Sequence, residues 1–242
     1  LARDPQAVYD MNIMAIKLAE HPDVRLPVIV ASDGYFTSHQ KRRVQTFAHR
    51  EDVLKFIGEH PPEGFPHVLD RNNPITVGPY MNEPDFINNR FQQSEAMYRA
   101  ADVYEEIRKE YAVLTGRDYP KLDLYRMEDA EVAVFLLNSA SEIIKDVVDQ
   151  LRAKGVKAGA ITPNIIRPFP QREIAEALKH VKAVTVGDRA DSYGAYGGNM
   201  TLEVKAALFS HGNSTTKVIS RVYGLGGKDF YAEDGLHFFQ LA

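Results

Sequence analysis

Residues 131–137 read EVAVFLL, and behind them come SEIIKDVVDQLRA at 141–153, VKAGAIT at 156–162, QREIAEALK at 171–179, KAVTVG at 182–187, NMTLEVKAALFS at 199–210 and KVISRV at 217–222. Short, nearly continuous apolar runs thus alternate with segments whose apolar residues recur at helical spacing. A strand buried on both faces loses the polar alternation of a half-exposed one, which is how strands of a parallel sheet read. The alternation predicts βαβ units, a mainly parallel sheet and helices on both of its faces, hence an α/β fold.

Toward the N-terminus the pattern changes. Asp4-Pro5 combines an acidic N-cap with proline in the first turn, and Ala7, Val8, Met11, Met14, Ala15 and Leu18 keep helical spacing, so a helix is expected over 5–20. Pro22 ends it. The run PVIVAS at 27–32 then meets Asp33-Gly34 and reads as a buried parallel strand entering a turn. Residues 51–57 suggest a short helix. Residues 58–84 are rich in Pro, Gly, Asn and His without any period and read as an irregular connection. The longest helical pattern covers 85–115, with Gly116 in the position that usually ends a helix. Three segments are therefore expected: 1–57, 58–116 and 117–242. The last is expected to fold on its own, whereas one helix, one strand and a short helix cannot cover a central strand on both faces.

Composition narrows the function classes. The 242 residues carry a formal charge of only -4, so no strong field favours nucleic acid or an anionic membrane surface. No apolar run approaches the roughly 20 residues that span a bilayer, and no basic region precedes an apolar stretch at the N-terminus, so a cytoplasmic location is expected. The absence of cysteine rules out disulfides, thiolate nucleophiles and cysteine-ligated clusters within these residues. The chain opens on Leu1 with a helix almost at once, which reads as a fragment or a processed chain. None of the eight histidines has the helical pairing with glutamate that zinc sites use, so no metal site is expected.

Three loops could carry chemistry. In the turn after residue 32, Asp33, Thr37, Ser38 and His39 could orient a substrate or hold a partner, since open parallel sheets bind ligands beyond the carboxyl ends of their strands. The plainer reading makes Asp33 and Ser38 turn caps and His39 a surface residue. The glycine-rich loop 187–198 contains Asp188, Arg189, Gly194, Gly197 and Gly198. A phosphate cradle is conceivable there, but the spacing matches neither dinucleotide nor P-loop patterns, so a tight interface turn held by Arg189 with Asp188 and Asp191 is expected. The third, YGLGGKD at 223–229, reads as a turn, with Asp229 able to start a short helix. No nucleophile–base pair can be named, so the catalytic residues and the cofactor-binding residues stay unassigned.

Taken in order, PVIVASDGYFTSHQ (27–40), EDAEVAVFLLNSASEIIKDVVDQLRAKGVKAGAITPNIIRPFP (128–170), VGDRADSYGAYGGNMTLEVKAALF (186–209) and VYGLGGKDF (222–230) resemble the α subunit of 2-oxoacid:ferredoxin oxidoreductases. The resemblance implies that 1–57 is the C-terminal tail of a pyrimidine-type thiamine-diphosphate domain. It makes 58–116 a connecting segment with a long helix and 117–242 a transketolase C-terminal-like domain. It further implies oxidative decarboxylation of a small 2-oxoacid with thiamine diphosphate and Mg2+, electrons passing through [4Fe-4S] clusters to ferredoxin, usually with formation of an acyl-CoA. The chain would bind none of these groups wholly by itself. Its implied partners are an N-terminal part of the same subunit, subunits carrying thiamine diphosphate and clusters, and ferredoxin. The family's cofactor-activating glutamate and substrate-binding residues correspond to positions upstream of residue 1, and Arg167-Pro168-Phe169 is carried over only as a structural mark.

Two departures are visible: Gly187 stands where an apolar residue is common, and Asn138-Ser139-Ala140-Ser141 replaces a more usual Gly-Ser turn. A branch oxidising oxalate without CoA is similar in layout to the pyruvate-type enzymes. The competing reading is a free-standing α/β binding or interaction domain, since fold alone does not fix function.

Overall fold

The computed structural model describes residues 1–59, 70–74, 78, 80–83 and 85–242. The chain runs α1 (Pro5–Glu20), α2 (Arg50–Ile57), α3 (Asp85–Thr115), β1 (Leu122–Tyr125), β2 (Val132–Phe135), α4 (Ala140–Ala153), β3 (Ala158–Pro163), α5 (Gln171–Ala177), β4 (Ala183–Asp188), α6 (Asn199–Ser210), β5 (Lys217–Val222), a 3-10 turn (Leu225–Gly227) and α7 (Ala232–Leu241). Packing divides it into two compact units. One takes 1–8, 31–43 and 119–242; the other takes 9–30 and 44–118.

The first unit is built on a five-stranded sheet of order β1-β3-β2-β4-β5, parallel except for β1, which pairs antiparallel with β3 at the edge. Successive side chains point to opposite faces. On β2, Ala133 and Phe135 join Ile161, Ile174, Val186, Val204 and Leu208 under α5 and α6. Val134 and Leu136 join Ile144, Val148, Tyr223, Phe238 and Phe239 under α4 and α7. Thr185, fully buried on the second face, meets its polar requirement by donating to the Phe238 carbonyl at 2.8 Å. All strands of this sheet come from 119–242, yet the same unit includes 1–8 and 31–43.

The expected strand at 27–32 does not form. Its only pairing among the described residues is a single parallel bridge between Ser32 and Ala2, and Ile29 is 88% exposed. Strand-like composition needs a neighbouring strand to satisfy the backbone, and Ala2 offers one residue only. β1 was not expected from the sequence, and α7 was expected only as a short helix able to start at Asp229. β1 is four residues long and lies at an edge. α7 contains Gly235, which reads as a breaker but sits where a Cβ would come within 3.0 Å of Ile144 Cδ1 and 3.1 Å of Val147 Cγ2. α7 starts at Ala232, with Tyr231 N donating to Asp234 Oδ2 at 2.9 Å, and not at Asp229.

In the second unit, α3 buries Ala96, Ala100, Val103, Tyr104, Ile107 and Tyr111 on one stripe and ends at Gly116, whose φ is +72°. The carboxylate of Asp10, fully buried, accepts from Tyr111 Oη at 2.6 Å and from Arg117 Nε at 2.6 Å and Nη2 at 2.9 Å. Phe47 and Phe56 pack edge-on against Tyr111. Burial is what pushes the Tyr111 phenol above its ordinary range, with the Asp10 hydrogen bond adding to it. Among the described residues, no helix is long and apolar enough to cross a membrane. Part of the irregular connection expected at 58–84, at 60–69, 75–77, 79 and 84, lies outside the described residues.

Candidate functional site

In a doubly wound sheet the crevice for ligands opens where neighbouring strands send their connections in opposite directions. Here that place lies between β2, whose connection leads to β3, and β4, whose connection leads to β5 on the other side. The crevice is closed by the chain's own residues. Asp33, 4% exposed, accepts from the Ser139 amide just after β2 at 2.7 Å, and from Arg189 Nη1 just after β4 at 2.5 Å. The carboxylate therefore stands where the anionic part of a ligand would stand, against a helix N-terminus and a guanidinium.

The surroundings fix that arrangement. Asn138 adopts φ +52°, a left-handed conformation that asparagine tolerates, and its Nδ2 donates to the carbonyls of Ala2 at 2.9 Å and Ala31 at 3.3 Å. The guanidinium of Arg189 lies 5.5 Å from the Tyr223 ring centroid. Tyr223 in turn donates to the Leu137 carbonyl at 3.0 Å, and burial pushes its phenol above the usual tyrosine range. Gly224, with φ +67°, passes the guanidinium so closely that a Cβ would lie 3.2 Å from Nη2.

The loop 187–198 does not carry the ion-pair set expected from its sequence. Arg189 pairs with Asp33, whereas Asp188, 1% exposed, points into the first turn of α6. It accepts from Met200 N at 2.6 Å, Thr201 N at 3.2 Å and Thr201 Oγ1 at 2.7 Å. A buried carboxylate on the free amides of a helix start is a strong internal cap. It also takes the amides that a phosphate cradle would use. Gly198 is required because a Cβ there would lie 2.3 Å from Asp188 Cγ, and Gly197, at φ +134°, would press within 2.7 Å of Thr201 Cγ2. Gly194 has φ +81° and open space around it. Gly187, the departure noted in the sequence, lies where a Cβ would meet Leu136 Cδ2 at 2.4 Å.

Of the remaining candidates, Thr37 is buried and its Oγ1 has no hydrogen-bond partner among the described residues. Ser38 and His39 are exposed: Ser38 Oγ accepts from Tyr35 N at 2.9 Å and lies 2.8 Å from His39 Nδ1. The structure thus joins Asp33 to Arg189 and leaves Ser38 and His39 at the surface. Asn138, Ser139, Thr201, Tyr223 and Ser220, whose Oγ accepts from Gly198 N at 3.2 Å, were missed as contributors. Only Asn138, an asparagine directly after the strand expected at 131–137, carried a readable signal. The 223–229 loop is a turn, with Gly224, Gly226 and Gly227 all at positive φ. Arg167-Pro168 is a cis peptide, with Arg167 Nη2 2.5 Å from Glu203 Oε1.

Chemically this site can hold segments together, and no group in it is placed to activate a nucleophile. Among the described residues, no three His, Cys, Asp or Glu side chains stand close enough to hold a metal ion. The residues present do not fit an iron–sulfur cluster, for want of cysteine. Asp33 and Asp188 occupy the amides at the starts of α4 and α6, so neither of these two helix starts is open to a diphosphate.

Fold and site define an α/β unit with a mainly parallel sheet, its ligand crevice closed by its own chain. Residues 1–109 match the family "Pyruvate flavodoxin/ferredoxin oxidoreductase, thiamine diP-bdg", and residues 130–235 match "Pyruvate:ferredoxin oxidoreductase core domain II". The pyruvate synthase subunit PorA of Thermotoga maritima is 42% identical over 96% of this chain and 58% of its own length. The α subunit of an NADH-dependent phenylglyoxylate dehydrogenase from Aromatoleum evansii is 35% identical over 93% of this chain and 55% of its own. A solved 2-oxoglutarate:ferredoxin oxidoreductase from Magnetococcus marinus overlaps at TM-score 0.49 and 18% identity, over 90% of this chain and 37% of that one. The chain belongs to the α-type subunits of the 2-oxoacid:ferredoxin oxidoreductase family. It spans a little over half the length of the curated relatives it matches.

Proposed function

We propose that this chain is part of a subunit of a thiamine-diphosphate-dependent oxidoreductase that decarboxylates a small 2-oxoacid oxidatively and passes the electrons to ferredoxin. The observation that carries the reading is the ordered match to two modules of one enzyme, at 1–109 and 130–235, together with 42% identity to a pyruvate synthase subunit. A free-standing binding domain would not need both modules in that order.

Thiamine diphosphate supplies, when bound, the carbanion-stabilising chemistry that decarboxylation of a 2-oxoacid requires. This chain's described residues hold the sheet, the 31–43 loop and the start of α6 in place. The cofactor, its Mg2+ and the [4Fe-4S] clusters belong, on this reading, to the complete assembly, the clusters to partner subunits because this chain has no cysteine. The same reading takes 1–57 as the tail of the cofactor domain, 58–116 as the connection and 117–242 as the transketolase C-terminal-like domain. Pyruvate is the first substrate to test and oxalate the second. The phenylglyoxylate relative, named for NADH, makes the acceptor a separate question.

The test is composition. The natural protein containing this chain, tagged and purified without oxygen from its own cells, is expected to bring down cysteine-rich brown subunits with bound thiamine diphosphate. A colourless protein without partners would contradict the reading.

A further inference from the structure

Between Gly34 and Arg43 the sequence GYFTSHQKRR contains no acidic residue and ends in three consecutive cations, in a chain whose net charge is -4. Lys41, Arg42 and Arg43 are all exposed. Arg42 leans back toward Asp4, with Nη1 3.5 Å from Oδ2. Lys41 and Arg43 have no ion pair or hydrogen bond among the described residues. Two unpaired cations one residue apart, beside a third that is only loosely engaged, leave a local positive field that the rest of this loop does not neutralise.

The root of the loop is fixed. Asp33 is buried on Ser139 and Arg189, so the segment cannot leave the sheet without stranding a charge. Shortly after it, Tyr35 sits at φ +65° and is 81% exposed. That conformation is uncommon for an aromatic residue and persists only where the surroundings over-determine it. They do so here: Tyr35 N donates to Ser38 Oγ at 2.9 Å, His39 N to the Tyr35 carbonyl at 2.9 Å, and the His39 ring stacks on the Tyr35 ring at 5.1 Å. Phe36 is also exposed. A preorganised segment presenting aromatic rings beside arginine has the composition enriched at protein interfaces, and it loses little ordering entropy on contact.

We propose that residues 35–43 are a docking strap for an acidic face of a partner subunit, with Lys41 and Arg43 supplying the charge contacts and Tyr35 and Phe36 the apolar ones. This rests on the reading of the chain as one subunit of a larger enzyme. An acidic protein face fits better than a small phosphate ligand, because the cations stand on an exposed strap and small-molecule sites are concave.

The experiment uses the purified native complex, with the wild-type subunit beside Lys41→Glu/Arg43→Glu and Lys41→Gln/Arg43→Gln. Subunit association is measured by sedimentation at low and high salt, and folding by thermal melting. The glutamate variant is expected to associate about tenfold or more weakly at low salt, rim charges acting mainly through salt-dependent association. The glutamine variant is expected to fall between and to lose most of the salt dependence. Should the glutamate variant fail to fold, the glutamine variant decides alone. Association unchanged in strength and salt dependence overturns the strap. Normal association with lost pyrophosphate binding overturns it too, assigning the cations to a phosphate ligand. If the wild-type chain captures no partner, the subunit reading fails and the strap with it, whereas normal wild-type assembly with indifferent variants removes the strap alone.

Discussion

Asp33 Oδ1 lies 2.5 Å from Arg189 Nη1, joining the loop that follows residue 32 to the end of β4, 156 residues later in the chain. The pair is unequal in exposure, the carboxylate nearly dry and the guanidinium about one-third accessible. Removing either partner therefore has different consequences. Arg189→Ala leaves a buried carboxylate with a single amide donor and is expected to cost about 3 kcal/mol or more, whereas Asp33→Asn, which keeps an acceptor for Ser139, should cost roughly half of that. Denaturant unfolding of the two variants checks the order. Equal, negligible losses would mean that the crevice is not held shut by this pair.

In the second unit, Arg117→Ala removes the guanidinium that donates twice to the buried Asp10 carboxylate, while the Tyr111 hydroxyl still donates to it. A loss of about 3 kcal/mol is expected, because a buried carboxylate loses its charge partner. Replacing Asp10 and Arg117 together by Asn and Met should restore part of that loss. Equilibrium unfolding of single and double variants gives the coupling directly.

Gly198→Ala places a methyl group against Asp188, which cannot retreat while it holds the amides of Met200 and Thr201. Gly187→Ala drives one into Leu136. Overpacking of this kind typically costs about 1–3 kcal/mol, and Gly194→Ala, with open space around it but φ +81°, should cost about 1 kcal/mol. Thermal melting of the three variants ranks them, and a Gly198→Ala protein as stable as wild type would show that Asp188 is not fixed.

Tyr104, Tyr111 and Tyr223 are all held above the ordinary tyrosine range, burial being the largest cause in each. The sign follows from linkage: the native state keeps these protons more tightly than the unfolded chain. Their stabilising effect is full below the unfolded tyrosine pKa of about 10 and is lost as pH rises beyond it. Of the twelve tyrosines, these three should ionise only as the fold opens. Ultraviolet titration followed alongside circular dichroism reads this, and early ionisation of all twelve in a folded protein would contradict it.

The sequence disclosed the periodic part of this molecule. The helices at 85–115 and 199–210 and the strand at 217–222 have the bounds their patterns predict. Apolar spacing is set locally, so it is legible. PVIVAS misled because its composition describes what a strand would bury, and pairing partners are not written in the strand itself. Gly235 inside α7 is demanded by close packing on Ile144 and Val147, and in sequence such a glycine looks the same as one that ends a helix. The Asp33–Arg189 contact was hidden for a simpler reason. Arg189 has acids on both sides in sequence, Asp188 and Asp191, and only the tertiary fold sends Asp188 into α6 and frees the guanidinium for Asp33. The loop positions were legible as candidates; their partners were not.

On the proposed function, this chain works within an enzyme that oxidises a 2-oxoacid with thiamine diphosphate. The most direct measurement is reduction of ferredoxin by the anaerobically purified complex of the natural protein, with pyruvate or oxalate, in the presence and absence of CoA. The expected result is reduction that disappears when thiamine diphosphate is removed and returns when it is added back. A complex that contains this chain and its partners, is replete with cofactor, and reduces no acceptor with any small 2-oxoacid would contradict the claim.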